Sequence, residues 1–129
     1  MAYFFIDYEN LSGRALEGIS LVKFRKSDEL IFFHNKTLAK ISFELHKELE
    51  QIKAKKKYIL VETGTGNALD FQLSSYLGNC ISKSPDAQFY IVSKDRGFDC
   101  VCHFWQKRDI RVKRLEQLYE YNKNCSNVL

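Results

Sequence analysis

FYIVSKDRGFD, residues 89–99, joins a buried strand to a charged turn, and the rest of the chain can be interpreted around it. Its first four residues are apolar or aromatic and predict a short strand, which breaks at Ser93. Asp95 lies in the turn, and a helix is predicted to begin close to Asp99. Ligands in open α/β sheets bind beyond the carboxyl ends of the strands, so both carboxylates are candidate site residues.

Alternating strands and helices surround this segment. Short apolar runs predict strands at 3–6, 29–33, 58–61, 89–92 and 110–112. Apolar residues at helical spacing predict helices at 15–22, 38–52, 67–81 and 98–107, followed by a final short helix. The lysine-rich run 53–57 is predicted to close the helix at 38–52. We therefore predict an α/β fold, a three-layer, doubly wound parallel sheet of about five strands in the common order 3-2-1-4-5.

Composition sets broad limits on the protein. The chain has 129 residues, 45% hydrophobic and 28% charged, which suits one globular domain, expected over 1–121 with a polar tail or linker at 122–129. A net charge of +4 permits an anionic partner but is far below that of a dedicated nucleic-acid clamp. Since no apolar run approaches ~18 residues, we expect no membrane association and a soluble, cytoplasmic protein.

The predicted topology brings four carboxylates to one edge of the sheet. Asp7 follows the first strand, and in the order 3-2-1-4-5 it faces Asp95 across the switch point. Asp70 and Asp99 open the helices that follow the third and fourth strands. At ~4 Å and an effective dielectric of ~20, each pair of carboxylates repels by about 4 kcal/mol, so a cation is expected among them. Oxygen ligands without cysteine or histidine favour Mg²⁺ or Mn²⁺, which can activate water for phosphodiester cleavage.

At these residues the sequence resembles a known group of enzymes. The motifs DYEN (7–10), NALDF (67–71) and SKDRGFD (93–99) look like those of the PIN-like nuclease superfamily, particularly its bacterial PIN-like and NYN-related branch, and the likeness covers about 3–115. The resemblance implies that one or two Mg²⁺ or Mn²⁺ ions are held for RNA hydrolysis by Asp7, Asp70, Asp95 and Asp99. It also implies that Asn10 steadies the first acid, and that Glu44 or Glu48 would serve as the acid on a middle helix.

Other polar residues near the predicted edge are candidates for supporting roles. Glu9 is either a further ligand or a solvated loop acid. Four basic residues lie at the same edge and are candidates for binding RNA phosphates: Arg14, Lys36, Lys94 and Arg96. The lysine run 53–57 precedes the third strand and is therefore expected at the opposite edge.

Each acid also has a purely structural interpretation. Asp70 lies three residues after Asn67, which fits a capping arrangement, and Asp99 would likewise be stabilised in the first turn of a helix. Asp95 would suit a turn before Gly97. Asp7 has no helix to cap if its strand is extended at that point, and this favours the metal site.

Three functional hypotheses follow. The first is a metal-dependent endoribonuclease that cleaves single-stranded RNA with a metal-activated water. The second is a catalytically inactive PIN-like module that binds RNA or protein. Under either hypothesis, a homodimer or a larger assembly is a further candidate partner. The third is a phosphotransfer domain of the receiver or haloacid-dehalogenase kind, and it fits less well. Glu62-Thr63 ends the third strand where a receiver needs Asp, and Glu9 stands where a dehalogenase carries its second Asp.

Overall fold

The computed structural model describes residues 1–8, 16–35, 40–62 and 66–122, and its centre is a single sheet. The strands are β1 (Ala2–Asp7), β2 (Glu29–His34), β3 (Lys55–Leu60), β4 (Gln88–Val92) and β5 (Arg111–Leu115). They run parallel to one another in the order β3-β2-β1-β4-β5, which confirms the predicted order 3-2-1-4-5. The described residues include the α-helices α1 (Phe43–Gln51), α2 (Ala68–Lys83) and α3 (Asp99–Gln106), and short 3-10 helices span Ile19–Leu21 and Arg96–Phe98.

The alternation of side chains along β1 separates two hydrophobic layers. Phe4 and Ile6 face one layer, which includes the buried residues of α1. Tyr3 and Phe5 face the other, which includes the buried residues of α2 and α3. All six residues of β1 are buried because helices cover both faces of the central strand. The apolar residues whose helical spacing predicts α2 form its inner face, since Leu69, Leu73, Leu77, Cys80 and Ile81 are all buried.

Phe4 forms the centre of an aromatic cluster on the α1 side. Its ring stacks on Tyr90 with 5.2 Å between ring centroids. Phe24 and Tyr121 approach the same ring edge-on, at 5.3 Å and 4.9 Å. Because Tyr121 comes after the last strand, the cluster anchors the end of the described chain to the first strand.

The lysine run does not close a helix, and this prediction was wrong. Lys55–Leu60 is β3, an edge strand that pairs only with β2 within the described chain. Lys55 and Lys57 lie 3.9 Å and 3.8 Å from the carboxylate oxygens of Glu29 on β2. Edge strands tolerate charged side chains, and lysines at an edge also discourage pairing with another chain. The run does lie at the amino edge of the sheet, opposite the acids, as predicted, because Lys55 pairs with the first residue of β2.

Three other elements differ from their predicted bounds. The helix predicted at 38–52 begins at Phe43, because Ser42 caps it by accepting a hydrogen bond from the Leu45 amide at 3.1 Å, and residues 36–39 lie outside the described chain. In the region predicted as helix 15–22, residue 15 lies outside the described chain, and the described part contains the 3-10 turn Ile19–Leu21, which follows Gly18 with a φ of 75°. The fifth strand continues to Leu115 rather than ending at 112.

Asp28 anchors the amino edge of the sheet. It is 1% exposed, and its two carboxylate oxygens accept hydrogen bonds from the amides of Ala2 (2.9 Å) and Arg25 (2.8 Å). We expect Asp28→Ala to lower the free energy of unfolding by about 2–5 kcal/mol, since it leaves two amides without their charged acceptor. Urea denaturation measures this, with the exposed Asp86→Ala as the control. Equal stability of the two variants would contradict the assigned role.

No helix in the described part of the chain is both long enough and apolar enough to span a bilayer.

Candidate active site

A buried carboxylate ends the central strand. Asp7 is the last residue of β1, has no exposed surface, and accepts a hydrogen bond from the Ser93 hydroxyl at 2.8 Å. Ser93 is equally buried and directly follows β4. Since Ile6 pairs with Val92 in parallel register, the next residue of each strand lies beside the other. The pairing of β1 with β4 therefore places Asp7 against Ser93 at the switch point.

The same hydroxyl connects Asp7 to Asp95. The Asp95 amide donates to Ser93 Oγ at 3.0 Å. The Asp95 carboxylate accepts from the Gly97 amide at 2.8 Å and caps the 3-10 helix Arg96–Phe98, so its predicted role as a turn residue is confirmed. A Cβ at position 97 would lie 3.0 Å from Asp95 Oδ1, so glycine leaves room for the carboxylate there.

Asp99 is bound by an arginine that the sequence analysis missed. Arg114 Nε lies 2.7 Å from Asp99 Oδ1, and Arg114 Nη1 donates to the Ser93 carbonyl oxygen at 3.1 Å. The hydrogen bond from Arg114 holds the pKa of Asp99 below its usual value, and the same bond raises the pKa of Arg114. The side chain of Arg114 is 14% exposed. An arginine thus supplies, at Asp99, positive charge that the sequence analysis expected from a metal ion alone.

A signal for Arg114 was present in the sequence. Residues two apart on a strand point to the same face, so Arg114 shares a face with the buried Val112 if the strand continues. The predicted fifth strand stopped at 112, which removed Arg114 from consideration. Ser93 offered no such signal, because a single serine after a strand is ordinary turn composition.

Asp70 lies in the first turn of α2. This helix packs on the layer that Tyr3 and Phe5 face, and by alternation Asp7 belongs to the same side of the sheet. Asp70 is half-buried, and its carboxylate suits the positive end of the helix dipole. The side chain of Asn67 makes no capping hydrogen bond, so this part of the expected capping arrangement does not form among the described residues.

Two of the four predicted phosphate-binding residues are described. Lys94 and Arg96 are exposed and flank Asp95 at the carboxyl edge, which is where they were expected. Arg14 and Lys36 lie outside the described residues, as do Glu9 and Asn10. Their predicted roles stay predictions.

A comparison with known protein families assigns the chain. The model of a family described as a PIN domain matches residues 1–115. The chain belongs to the PIN domain family. No curated protein matches it, and no solved structure does. Membership supports a nuclease-type function in general, and PIN domains generally depend on divalent metal ions.

The match also bears on the alternatives. It runs from β1 to the end of β5 and therefore includes all four predicted acids of this PIN domain. The receiver form of the phosphotransfer hypothesis is set aside, since receiver domains have the strand order 2-1-3-4-5, which differs from the order found here. The dehalogenase form is set aside because the family match assigns the chain to the PIN domains. Assignment to the NYN-related branch stays a prediction.

The donor atoms of the PIN domain's acids suit a hard cation, although they do not form a ligand group as they stand. Carboxylate oxygens are the ligands that Mg²⁺ and Mn²⁺ prefer, and Asp7, Asp70 and Asp95 offer only these. Across 1–8, 16–35, 40–62 and 66–122, no three Asp, Glu, His or Cys side chains are close enough to hold one ion. The centre formed by four aspartates therefore stays a prediction.

The acid expected on a middle helix is not brought to the site. Glu44 and Glu48 lie on α1, which packs against the layer of Phe4 and Ile6. Asp7 belongs to the opposite side of β1. Glu48 lines a groove with Lys23 and Lys47 on the α1 side of the PIN domain. Neither glutamate is therefore placed beside the buried aspartate.

The ion pair between Asp99 and Arg114 predicts a pH dependence. Because the folded-state pKa of Asp99 lies below its ordinary value of 3.8, the pair stabilises the fold above that pH and its contribution is lost as the pH falls through the lower value. Arg114→Met should therefore destabilise the PIN domain more at pH 7 than at pH 3. Urea denaturation at both pH values, with EDTA present and the exposed Arg25→Met as the control, measures the difference. An equal loss at both pH values would contradict the assignment.

Proposed function

We propose that this PIN domain is an Mg²⁺- or Mn²⁺-dependent endoribonuclease that hydrolyses single-stranded RNA at the carboxyl edge of its sheet. The observation that carries the proposal is the fully buried carboxylate of Asp7 at the end of the central strand, held by Ser93 beside the Asp95 turn. A buried carboxylate is costly to desolvate, and Asp7 stands at the carboxyl end of the central strand, where ligands of open α/β sheets bind. Family membership supports a nuclease-type activity, and the position of Asp7 supports the carboxyl edge as its location.

The proposal assigns a role to each residue at the edge. Asp7, Asp70 and Asp95 would hold the cation, with Asp99 as the fourth predicted ligand. The ion supplies a water of lowered pKa and compensates the charge on the phosphate. Ser93 fixes the orientation of Asp7 through a hydrogen bond of 2.8 Å. The proposed reaction needs no side-chain nucleophile.

The basic residues at the edge would position the substrate. Lys94 and Arg96 are exposed on either side of Asp95, so their charges are available to RNA phosphates. Arg114 is far less exposed and is engaged by Asp99 and by the Ser93 carbonyl. Its contacts tie β5 to the turn that carries Asp95, and we assign it to positioning rather than to phosphate binding.

A cleavage assay tests the proposal. End-labelled single-stranded RNA is incubated with Mn²⁺ and with wild type, Asp95→Asn or Asp109→Asn. Asparagine at 95 keeps an oxygen that can accept from the Gly97 amide, so the turn is expected to survive while the negative charge is lost. Asp109 is an exposed residue with a φ of 62°, which asparagine adopts readily, so it provides a matched control. Wild type and Asp109→Asn should cleave and Asp95→Asn should not. Equal cleavage by all three would refute the proposal.

A second candidate function is a catalytically inactive module that binds RNA or protein, alone or within a homodimer or larger assembly. It is favoured by the ion pair between Arg114 and Asp99, which compensates one predicted ligand without a metal. Thermal denaturation distinguishes the two functions. An active metal site stabilises the fold by about 2.7 kcal/mol when Mn²⁺ is present at a hundred times its dissociation constant. An unchanged melting temperature with retained RNA binding would favour the inactive module.

A further inference from the structure

A cavity of about 150 Å³ opens on the α1 side of the carboxyl edge. Four aromatic residues line it, and we call it the aromatic cleft: Tyr8, Phe32, His34 and Tyr58. The rings of Phe32 and Tyr58 stack on each other with 5.2 Å between centroids and form one wall. Tyr8 donates its hydroxyl hydrogen to the Lys40 carbonyl oxygen at 2.5 Å, which fixes its ring on another side.

One ring that lines the aromatic cleft carries a polar atom with an unmet hydrogen bond. His34 Nδ1 is buried and has no hydrogen-bond partner within the part of the chain that the structure describes. A buried polar atom without a partner costs about 1–3 kcal/mol of stability, and an occupant of the cleft reaches this one only if the His34 imidazole turns, because the atom has no accessible surface. Water is a poor occupant, since an ordered buried water typically makes about three hydrogen bonds and the rest of the lining is almost entirely apolar.

Size and shape favour a single flat ring. An apolar cavity of ~150 Å³ accommodates one benzene molecule, which has the dimensions of a single six-membered ring. Aromatic walls favour stacking on a planar ring, and every nucleobase has such a face. A six-membered aromatic ring would fit the volume of the cleft and stack on its walls. Among nucleobases, these are the pyrimidines.

The aromatic cleft is adjacent to the proposed active site. Tyr8 directly follows Asp7, and it lines the cleft together with His34, which follows Phe33, the partner of Asp7 on β2. Tyr8 packs against the layer of Phe4 and Ile6, whereas alternation along β1 turns Asp7 to the other face, so the cleft and the Asp7 carboxylate lie on the two sides of one edge. A strand of RNA that crosses this edge would present a base on one side and a phosphate on the other. The exposed Lys40 lies at the cleft and can contact a phosphate.

We propose that the aromatic cleft binds one unpaired pyrimidine base of an RNA strand whose backbone crosses the edge towards Asp7, an inference that rests on the proposed function. A base that enters the cleft has left its helix, so the substrate must be single-stranded at that nucleotide. The cleft thereby accounts for the expected preference for single-stranded RNA and adds a preference for pyrimidines.

Binding without cleavage tests the cleft. Fluorescence anisotropy with labelled oligo(U), oligo(C) and oligo(A) is measured in EDTA, where the proposed metal-dependent hydrolysis cannot proceed. Wild type should bind the two pyrimidine oligomers more tightly than oligo(A). Tyr58→Ala should weaken pyrimidine binding by about tenfold, the effect of losing one stacking partner. Tyr58 is 58% exposed, so the substitution is compatible with folding.

Two further variants complete the test. Ile41→Trp places a larger side chain at a lining residue that is 49% exposed, and it should block the cleft without removing a core contact. Leu60→Ala is the matched control, because Leu60 is also exposed on β3, two residues from Tyr58, and is not among the lining residues. It should keep the pyrimidine preference. Equal binding of the three oligomers by wild type, or a preference that survives both Tyr58→Ala and Ile41→Trp, would overturn the assignment.

The outcomes for the cleft and for the nuclease can be separated. Mn²⁺-dependent cleavage without any base preference in binding would refute the cleft and leave the nuclease intact. Pyrimidine-selective binding that Tyr58→Ala abolishes, in a protein that does not cleave RNA, would support the cleft and refute the nuclease.

Discussion

Asp7→Asn is expected to lower the Mn²⁺-dependent rate of RNA cleavage by at least about a hundredfold, which corresponds to ~2.7 kcal/mol of lost transition-state stabilisation. Asp7 is the one predicted ligand that is completely buried, and its orientation is fixed by Ser93 at 2.8 Å. Asparagine preserves its size and can still accept from Ser93, but it removes the negative charge that would bind the cation. Single-turnover cleavage of labelled RNA, at a protein concentration that saturates the substrate, measures the change.

Asp28→Asn is the matched control for this experiment. Asp28 is also a buried aspartate, but it lies at the amino edge and its oxygens are bound by backbone amides. The control variant should lose stability and keep the cleavage rate per folded molecule. A wild-type rate in Asp7→Asn, or an equal loss in the two variants, would contradict the role given to Asp7.

Phe4→Ala is expected to have the largest effect on stability, a loss of about 3–5 kcal/mol. The ring of Phe4 is fully buried in contact with Phe24, Tyr90 and Tyr121, so its removal leaves a cavity among three aromatic side chains. Domains of this kind are stable by only about 5–15 kcal/mol, and the variant should therefore unfold at a much lower urea concentration. Urea denaturation followed by far-UV circular dichroism measures the shift.

Phe43→Ala controls for the loss of a phenyl ring as such. Phe43 is 85% exposed at the start of α1, and its removal should change the free energy of unfolding by no more than about 0.5 kcal/mol. If Phe4→Ala were no more destabilising than Phe43→Ala, the aromatic cluster would not stabilise the fold as described.

The elements that the sequence predicted well are those with a strong internal pattern. The inner face of α2 follows from leucines at helical spacing, and the central strands follow from continuous apolar runs that helices must cover on both faces. The strand order was also predicted, because the common doubly wound arrangement has few alternatives for five parallel strands.

The lysine run 53–57 has no such internal pattern, so the sequence alone did not predict that part of it is a strand. Lysine has a low strand propensity, and residues 55–57 form a strand only because β2 offers an edge and Glu29 offers opposite charge. Neither partner is adjacent in sequence. The predicted β5 was likewise too short, because it also pairs with a strand distant in sequence, and Arg114 therefore fell outside the predicted strand.

The sequence predicted the position of the candidate site better than the contacts of its side chains. The proximity of Asp7 to the residues after β4 follows from the sheet order alone. The directions of the side chains do not, since they depend on hydrogen bonds made after the chain has folded. Ser93 connects Asp7 to the Asp95 backbone, and Arg114 binds Asp99. Both contacts join residues that come together only in the tertiary structure.

The most direct test is a crystal of the protein soaked in Mn²⁺, with anomalous scattering used to locate the ion. The account predicts an anomalous peak about 2.1 Å from a carboxylate oxygen of Asp7, with an oxygen of Asp70 or Asp95 as a second ligand, and no such peak in Asp7→Asn. A well-diffracting soaked crystal with no peak bonded to Asp7, in which Asp99 remains bound to Arg114, would contradict it.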